Sequence, residues 1–154
     1  MDTNCNYDST SETLKHIKRV SELLSLASIN LLQRGIKHDN SKLETPEKEE
    51  FDRLTPLLKG CSFGTNEYQN HLTQLKLALD HHYKNNSHHP QHYCNGVDGM
   101  DLFDLMEMFL DWKASSERHD DGDIYKSISI NADRFKLSEQ LVKILENTAK
   151  NLNF

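Results

Sequence analysis

An imidazole and a carboxylate stand on adjacent residues at His38-Asp39, within the run Gly35-Ile36-Lys37-His38-Asp39-Asn40-Ser41-Lys42-Leu43. Both can reach one divalent ion, because first-row metals take imidazole nitrogen and carboxylate oxygen as ligands. Ser41 and Lys42 follow at a distance suited to holding an anion. Upstream lies His16; downstream, six of the nine histidines fall between His71 and His92. Further on, Asp104, Glu107 and Asp111 are spaced i, i+3 and i+7, so they share one helix face. Three carboxylates on one stripe repel one another unless a cation or basic group neutralises them.

Each residue also has a plainer reading. His16 borders an apolar helix face and can pack or cap there. Asp39 can be a helix N-cap. The acidic stripe can be a hydrated face, His71 and His119 surface residues, and His88-His89-Pro90-Gln91-His92-Tyr93 a structural turn. The order His…His-Asp…His cluster…Asp favours a metal site, with His16, His38, Asp39, His81, His82, His88, His89, Asp104, Glu107 and Asp111 as candidates.

The elements that must position these groups are helical. Residues 1–8 read as a loose tail and 9–154 as a single domain. Ser9-Thr10-Ser11-Glu12 has capping-box spacing, and Leu14, Ile17, Val20, Leu24, Ala27 and Leu31 recur at helical spacing up to a C-cap at Gly35. Thr45-Pro46 starts a second helix, whose Glu47 and Glu49 suit its positive end and which runs to about Leu58. Gly60 to Thr65 reads as a loop. A long helix covers about Asn66 to Tyr83, with Tyr68, Leu72, Leu75, Leu79 and Tyr83 near one face. Lys84 to Gly99 lacks periodicity and is too long for a simple connector, and such loops are often functional. Asp98 or Asp101 caps a helix holding Leu102, Leu105, Met106, Phe109 and Leu110. Asp120-Asp121-Gly122-Asp123 is a turn. Ile124, Ile128 and Phe135 mark another helix, and Ser138 caps a last one with Leu141, Ile144 and Leu145. The fold class is therefore all-α, with five to seven helices.

Composition narrows the setting. The chain has 154 residues, enough for one domain with a real core. A net charge of -6 argues against a general nucleic-acid or anionic-membrane surface. A bound metal would still invert the local field and admit small phosphorylated ligands. No apolar run is long enough to span a bilayer, and the N-terminus lacks the pattern of a signal peptide. Three scattered cysteines, Cys5, Cys61 and Cys94, form no Cys-x-x-Cys pair, so a reducing, cytoplasmic compartment is expected. Apolar helix faces serve a core or a homodimer equally well.

The residues His16, His38-Asp39 and Asp111-Trp112-Lys113-Ala114 resemble the His…His-Asp…Asp signature of the HD-domain superfamily of metal-dependent phosphohydrolases. His38-Asp39-Asn40-Ser41-Lys42 is similar to that family's His-Asp-x-Gly-Lys run, with Ser41 in place of glycine. The resemblance spans about residues 12 to 118. The chain resembles still more closely a small group of phage and bacterial proteins. These share a His-Asp-x-Ser-Lys run, a His-His-Pro-x-His-Tyr loop and an Asp-Leu-x-Glu-Met-x-x-Asp-Trp helix, here His38 to Lys42, His88 to Tyr93 and Asp104 to Trp112.

The resemblance implies an HD-like helical bundle in which His16, His38, Asp39 and Asp111 bind a divalent metal (Mn, Fe, Co, Ni, Zn or Mg). The extra histidines depart from the four-residue pattern. His82 with His88 or His89 could hold a second ion, at a shorter separation than in two-metal members. The implied reaction is hydrolysis of a phosphomonoester or phosphodiester in a nucleotide or similar small substrate. In it Glu44 or Glu107 is the general base, Lys42 and Arg118 neutralise phosphate oxygens with Arg134 as a weaker candidate, and His88 and Tyr93 contact substrate. Tyr83 and Trp112 are further rings that could stack on a base. Two other classes stay open: a non-catalytic nucleotide- or protein-binding accessory protein of phage type, and a di-iron oxidase on the same scaffold.

Overall fold

A computed structural model describes residues 7–60, 66–118 and 122–154. Among them the regular elements are six α-helices and three short 3-10 turns, with no strand. The helices are α1 (Thr10–Lys37), α2 (Glu47–Gly60), α3 (Asn66–Asn85), α4 (Leu102–Ser116), α5 (Ile124–Phe135) and α6 (Glu139–Asn151). The all-α reading is therefore correct. The chain divides into two compact units, Met1–Ile36 and Lys37–Phe154. No helix among the described residues is long and apolar enough to cross a membrane.

The first unit is essentially α1. Its start is set by Asp8, whose carboxylate accepts the Thr10 N–H at 2.9 Å. No residue of α1 is buried, and Leu14, Ile17 and Leu24 are exposed although they recur at helical spacing. The helix also runs through Gly35, the expected C-cap, to Lys37. The residue in the left-handed region falls instead at Asp39, at φ 56°. Aspartate is among the few side chains that enter this region, at a cost of roughly 1 kcal/mol.

Among the described residues the second unit has two apolar clusters. Leu54 of α2 meets Leu75 and Ala78 of α3 in one. Met108, Phe109 and Trp112 of α4 meet Ile124, Ile128, Leu145 and Ala149 of α5 and α6 in the other. Trp112 stacks on Phe135 with ring centroids 6.2 Å apart. Full burial of such side chains stabilises by roughly 1.5–3 kcal/mol each. The side chains of Tyr68 and Leu72 lie outside the described residues, as do Cys5, residues 61–65 with Cys61, and His119, Asp120 and Asp121.

Caps fix where the later helices start. Asp101 Oδ1 accepts the N–H groups of Phe103 and Asp104, each at 2.8 Å, while Asp104 Oδ2 accepts the Asp101 N–H at 3.1 Å. This reciprocal capping box satisfies three of the orphan donors at the start of α4. Asp123 caps α5 and Ser138 caps α6. The span between α3 and α4 contains two 3-10 turns, Pro90–His92 and Gly96–Gly99. Only Gly96 of its glycines has a positive φ, 63°.

A histidine–carboxylate centre

Four segments of the second unit converge. The 3-10 turn Asn40–Leu43, with the His38-Asp39 step before it, packs on the first turn of α2 and the last turn of α3. The loop holding His88 and His89 follows α3, and α4 presents its acidic stripe. Amphipathicity makes α4 two-sided: Met108, Phe109 and Trp112 enter the core while Glu107 and Asp111 face the histidines.

Asp39 is at the centre. Its Oδ1 lies 3.2 Å from His82 Nε2 and 3.5 Å from His88 Nε2. Its Oδ2 lies 2.6 Å from Lys42 Nζ and 3.5 Å from His38 Nε2. His38 Nε2 is in turn 3.7 Å from Asp111 Oδ1. His82 Nε2 and His89 Nε2 are 2.9 Å apart. Among the described residues two groups of potential ligand atoms result, one from Asp39, His82, His88 and His89, the other from His38, His88 and Asp111, the atoms of each lying within 4.8 Å of one another. Asp39 Oδ1 and His88 Nε2 are buried and make no hydrogen bond. A buried polar atom without a partner is costly, and here two of them point into one nest of donors to metal.

Carboxylates behind the histidines turn them inward. His38 Nδ1 and His88 Nδ1 both donate to Glu107 Oε1, at 2.8 and 3.0 Å. His82 Nδ1 donates to Glu47 Oε2 at 2.8 Å, and His81 Nδ1 to Glu47 Oε1 at 2.7 Å. A carboxylate can only accept, so the Nδ1 of each imidazole carries the hydrogen; for His38, His82 and His88 the Nε2 is left for the centre, while His81 lies outside both ligand groups. This is the usual arrangement behind metal-binding histidines.

The electrostatics show a demand for positive charge. Asp111 first, then Glu107, push His38 up to about 10 against the effect of burial. Burial opposes charging of His88, but Asp39 and Glu107 prevail and raise it. Burial likewise disfavours ionised Asp39, yet His82, His88 and Lys42 hold its carboxyl well below the usual range. Asp111 is also lowered: burial opposes this, and His38 outweighs it. His89 goes the other way, pushed down to about 3 by burial and by His88 and His82, so it stays a neutral imidazole.

The expected residues fall in three places. His38, Asp39, His82, His88, His89 and Asp111 come together. Glu107 stands behind them, and Tyr93 and Asp104 brace the loop. The Tyr93 hydroxyl and the Ser87 hydroxyl both donate to the buried Asp104 carboxylate at 2.6 Å. Lys42 is bound to Asp39 with over a third of its side chain exposed. His16 is an exposed residue of α1, in the other unit. Glu44 is exposed where the 3-10 turn exits, and Arg118 is exposed in the turn after α4. His71 is half-buried with an unbonded Nδ1 rather than a surface residue. Glu47, fully buried, was legible in the sequence only as a helix-terminal charge. The one signal pointing further was its place six residues beyond Ser41, near enough to fold back on the turn.

One family model matches the chain. The model of a family of unknown function, DUF5662, covers residues 5–151, so the chain belongs to that family. No curated protein and no solved structure matches the chain.

Proposed function

We propose that this member of DUF5662 is a metal-dependent phosphohydrolase that cleaves a phosphate ester of a nucleotide or similar small substrate, on an HD-like helical scaffold. The observation that carries the metal half is the convergence of Asp39 Oδ1 and His88 Nε2, buried and unbonded, with His82 and His89. Ligand atoms around a tetrahedral ion with bonds of about 2.1 Å lie about 3.4 Å apart. The separations of 2.9 to 3.5 Å around Asp39 and His82 fit that scale. Mixed imidazole and carboxylate donors suit Mn, Fe, Co, Ni or Zn. With its Nδ1 engaged by Glu107, His88 has one nitrogen for the centre. The two ligand groups therefore share an atom source, which favours a single ion held by Asp39, His82, His88 and His89, with His38 and Asp111 at its edge.

A divalent ion held there supplies Lewis acidity and a water of lowered pKa. The chain supplies the rest. Asp39 and the imidazoles fix the ion, and Asp111 beside His38 can accept a proton from a water on that side. Lys42, half-exposed beside Asp39, can turn to an incoming phosphate oxygen. Glu107 acts as the brace of His38 and His88 rather than as a base.

Metal analysis of the purified protein and of Asp39→Ala tests this. The expected result is near-stoichiometric metal in the first and little in the second, with Mn-stimulated release of phosphate from nucleoside mono- or triphosphates or opening of a cyclic nucleotide. Negligible metal in both proteins sinks the centre. Bound metal with no turnover of any phosphate ester sinks the hydrolase and leaves a binder. His16→Ala in the same assay decides whether the residue that the resemblance adds belongs to the ligand set.

A further inference from the structure

The serine in the His-Asp-x-Ser-Lys run has no part in the chemistry above, yet it touches Glu47, the buried carboxylate that stands behind His82. We propose that Ser41 and Glu47 form a positioning unit for His82, fixing which of its ring nitrogens faces the centre. This rests on the metal reading and goes beyond it to residues that hold no metal.

The hydrogens can be followed one by one. Asn86 has two amide hydrogens, and it donates to the His82 carbonyl and to Ser41 Oγ, each at 2.8 Å. Ser41 has one hydroxyl hydrogen, and it goes to Glu47 Oε2 at 3.0 Å. Glu47 Oε2 also receives His82 Nδ1 at 2.8 Å, and Glu47 Oε1 receives His81 Nδ1 at 2.7 Å. Asn86 Nδ2 lies 3.0 Å and Ser41 Oγ 3.3 Å from His82 Nδ1, but their hydrogens are already directed elsewhere. The acceptor left for His82 Nδ1 is the carboxylate, so that nitrogen must carry the proton. His82 Nε2 is then the lone-pair side, and it is the atom 3.2 Å from Asp39. Free imidazole favours the opposite tautomer only slightly, so one buried carboxylate suffices to set it.

The same unit ties three segments together. Ser41 is two residues from Asp39, Glu47 opens α2, and His82 lies in the last turn of α3. Glycine at position 41 would leave Glu47 Oε2 without its hydroxyl donor. Burial opposes ionisation of Glu47, but His81, Ser41 and His82 overcome it and lower its carboxyl below the usual value.

The test has two arms. Nitrogen NMR of ¹⁵N-histidine-labelled wild type reads the tautomer directly, and the expected His82 signal is protonated at Nδ1. Cobalt(II) titration, followed by d–d absorption, compares wild type with Glu47→Gln and Ser41→Ala. The glutamine can accept from one histidine only, so affinity should fall about 10–100-fold in Glu47→Gln, with a smaller loss in Ser41→Ala and unchanged helix content. A His82 protonated at Nε2 overturns the inference, as does a folded Glu47→Gln that binds cobalt as wild type does. Should Glu47→Gln not fold, the wild-type tautomer decides alone. A wild type that takes up no cobalt overturns the metal reading instead.

Discussion

The hydroxyl of Tyr93 donates to the carboxylate of Asp104 across 2.6 Å, and Ser87 reaches the same carboxylate from the other side of the histidine pair. The segment carrying His88 and His89 is thus pinned at both ends to the first turn of α4. Tyr93→Phe removes one bond and should cost about 1 kcal/mol, measured by urea unfolding. Asp104→Ala removes the shared acceptor of two hydroxyls and half of the capping box, for about 2–4 kcal/mol. Metal affinity should drop in both, more in the second. An Asp104→Ala protein as stable as wild type would show that the loop holds itself.

The same pair sets a limit at high pH. Burial, then the Asp104 charge, push the Tyr93 phenol up to about 12. The fold therefore favours the protonated phenol. That preference costs nothing below the unfolded value near 10. Above it the unfolded chain loses its proton first, so stability falls as pH rises from about 10 towards 12. Tyrosinate absorbance should show one late-titrating phase that Tyr93→Phe removes, and Tyr93→Phe should lose less stability over that window.

Removal of metal should destabilise the protein. A ligand held at a free concentration of 100 Kd adds about 2.7 kcal/mol to the folded state. For a chain of this size that corresponds to a Tm lower by roughly 5–10 °C after chelation. Differential scanning calorimetry with and without chelator, then with Mn, Co or Zn restored, measures it. Identical melting curves for wild type in all conditions, with Asp39→Ala alike, would speak against a folded-state metal.

Core and centre share α4. Phe109 is almost fully buried in the cluster of α4, α5 and α6. Phe109→Ala should cost about 3–5 kcal/mol. Leu54→Ala, in the other cluster, should cost about 2–5 kcal/mol. Chemical unfolding measures both, and each variant tests whether the centre survives the loosening of one wall.

The sequence shows some of this directly. The i, i+3, i+7 spacing of Asp104, Glu107 and Asp111 placed them on one face, and Ser138 lies at the helix start that its residue type indicates, whereas Asp123, read only as a turn residue, caps α5. What each acid does was not legible. Asp104 braces a loop, Glu107 orients two histidines and Asp111 faces His38, and only the packing of α4 against distant segments assigns those parts. Glu47 illustrates the same gap, since its partner His82 is 35 residues away. Gly35 misleads for a different reason. Local preference favours a stop there, but the chain turns at Asp39, where the turn also delivers a carboxylate.

That turn sets two requirements against each other at one position. The backbone at Asp39 suits glycine best, while the proposed metal centre calls for an acid there. Asp39→Gly would relax the main chain and delete the central ligand atom; Asp39→Asn would keep the conformation and the shape while removing the charge. Comparing the two separates what the peptide chain gains from what the ion loses. A positive-φ aspartate is a costly choice of side chain for the main chain alone.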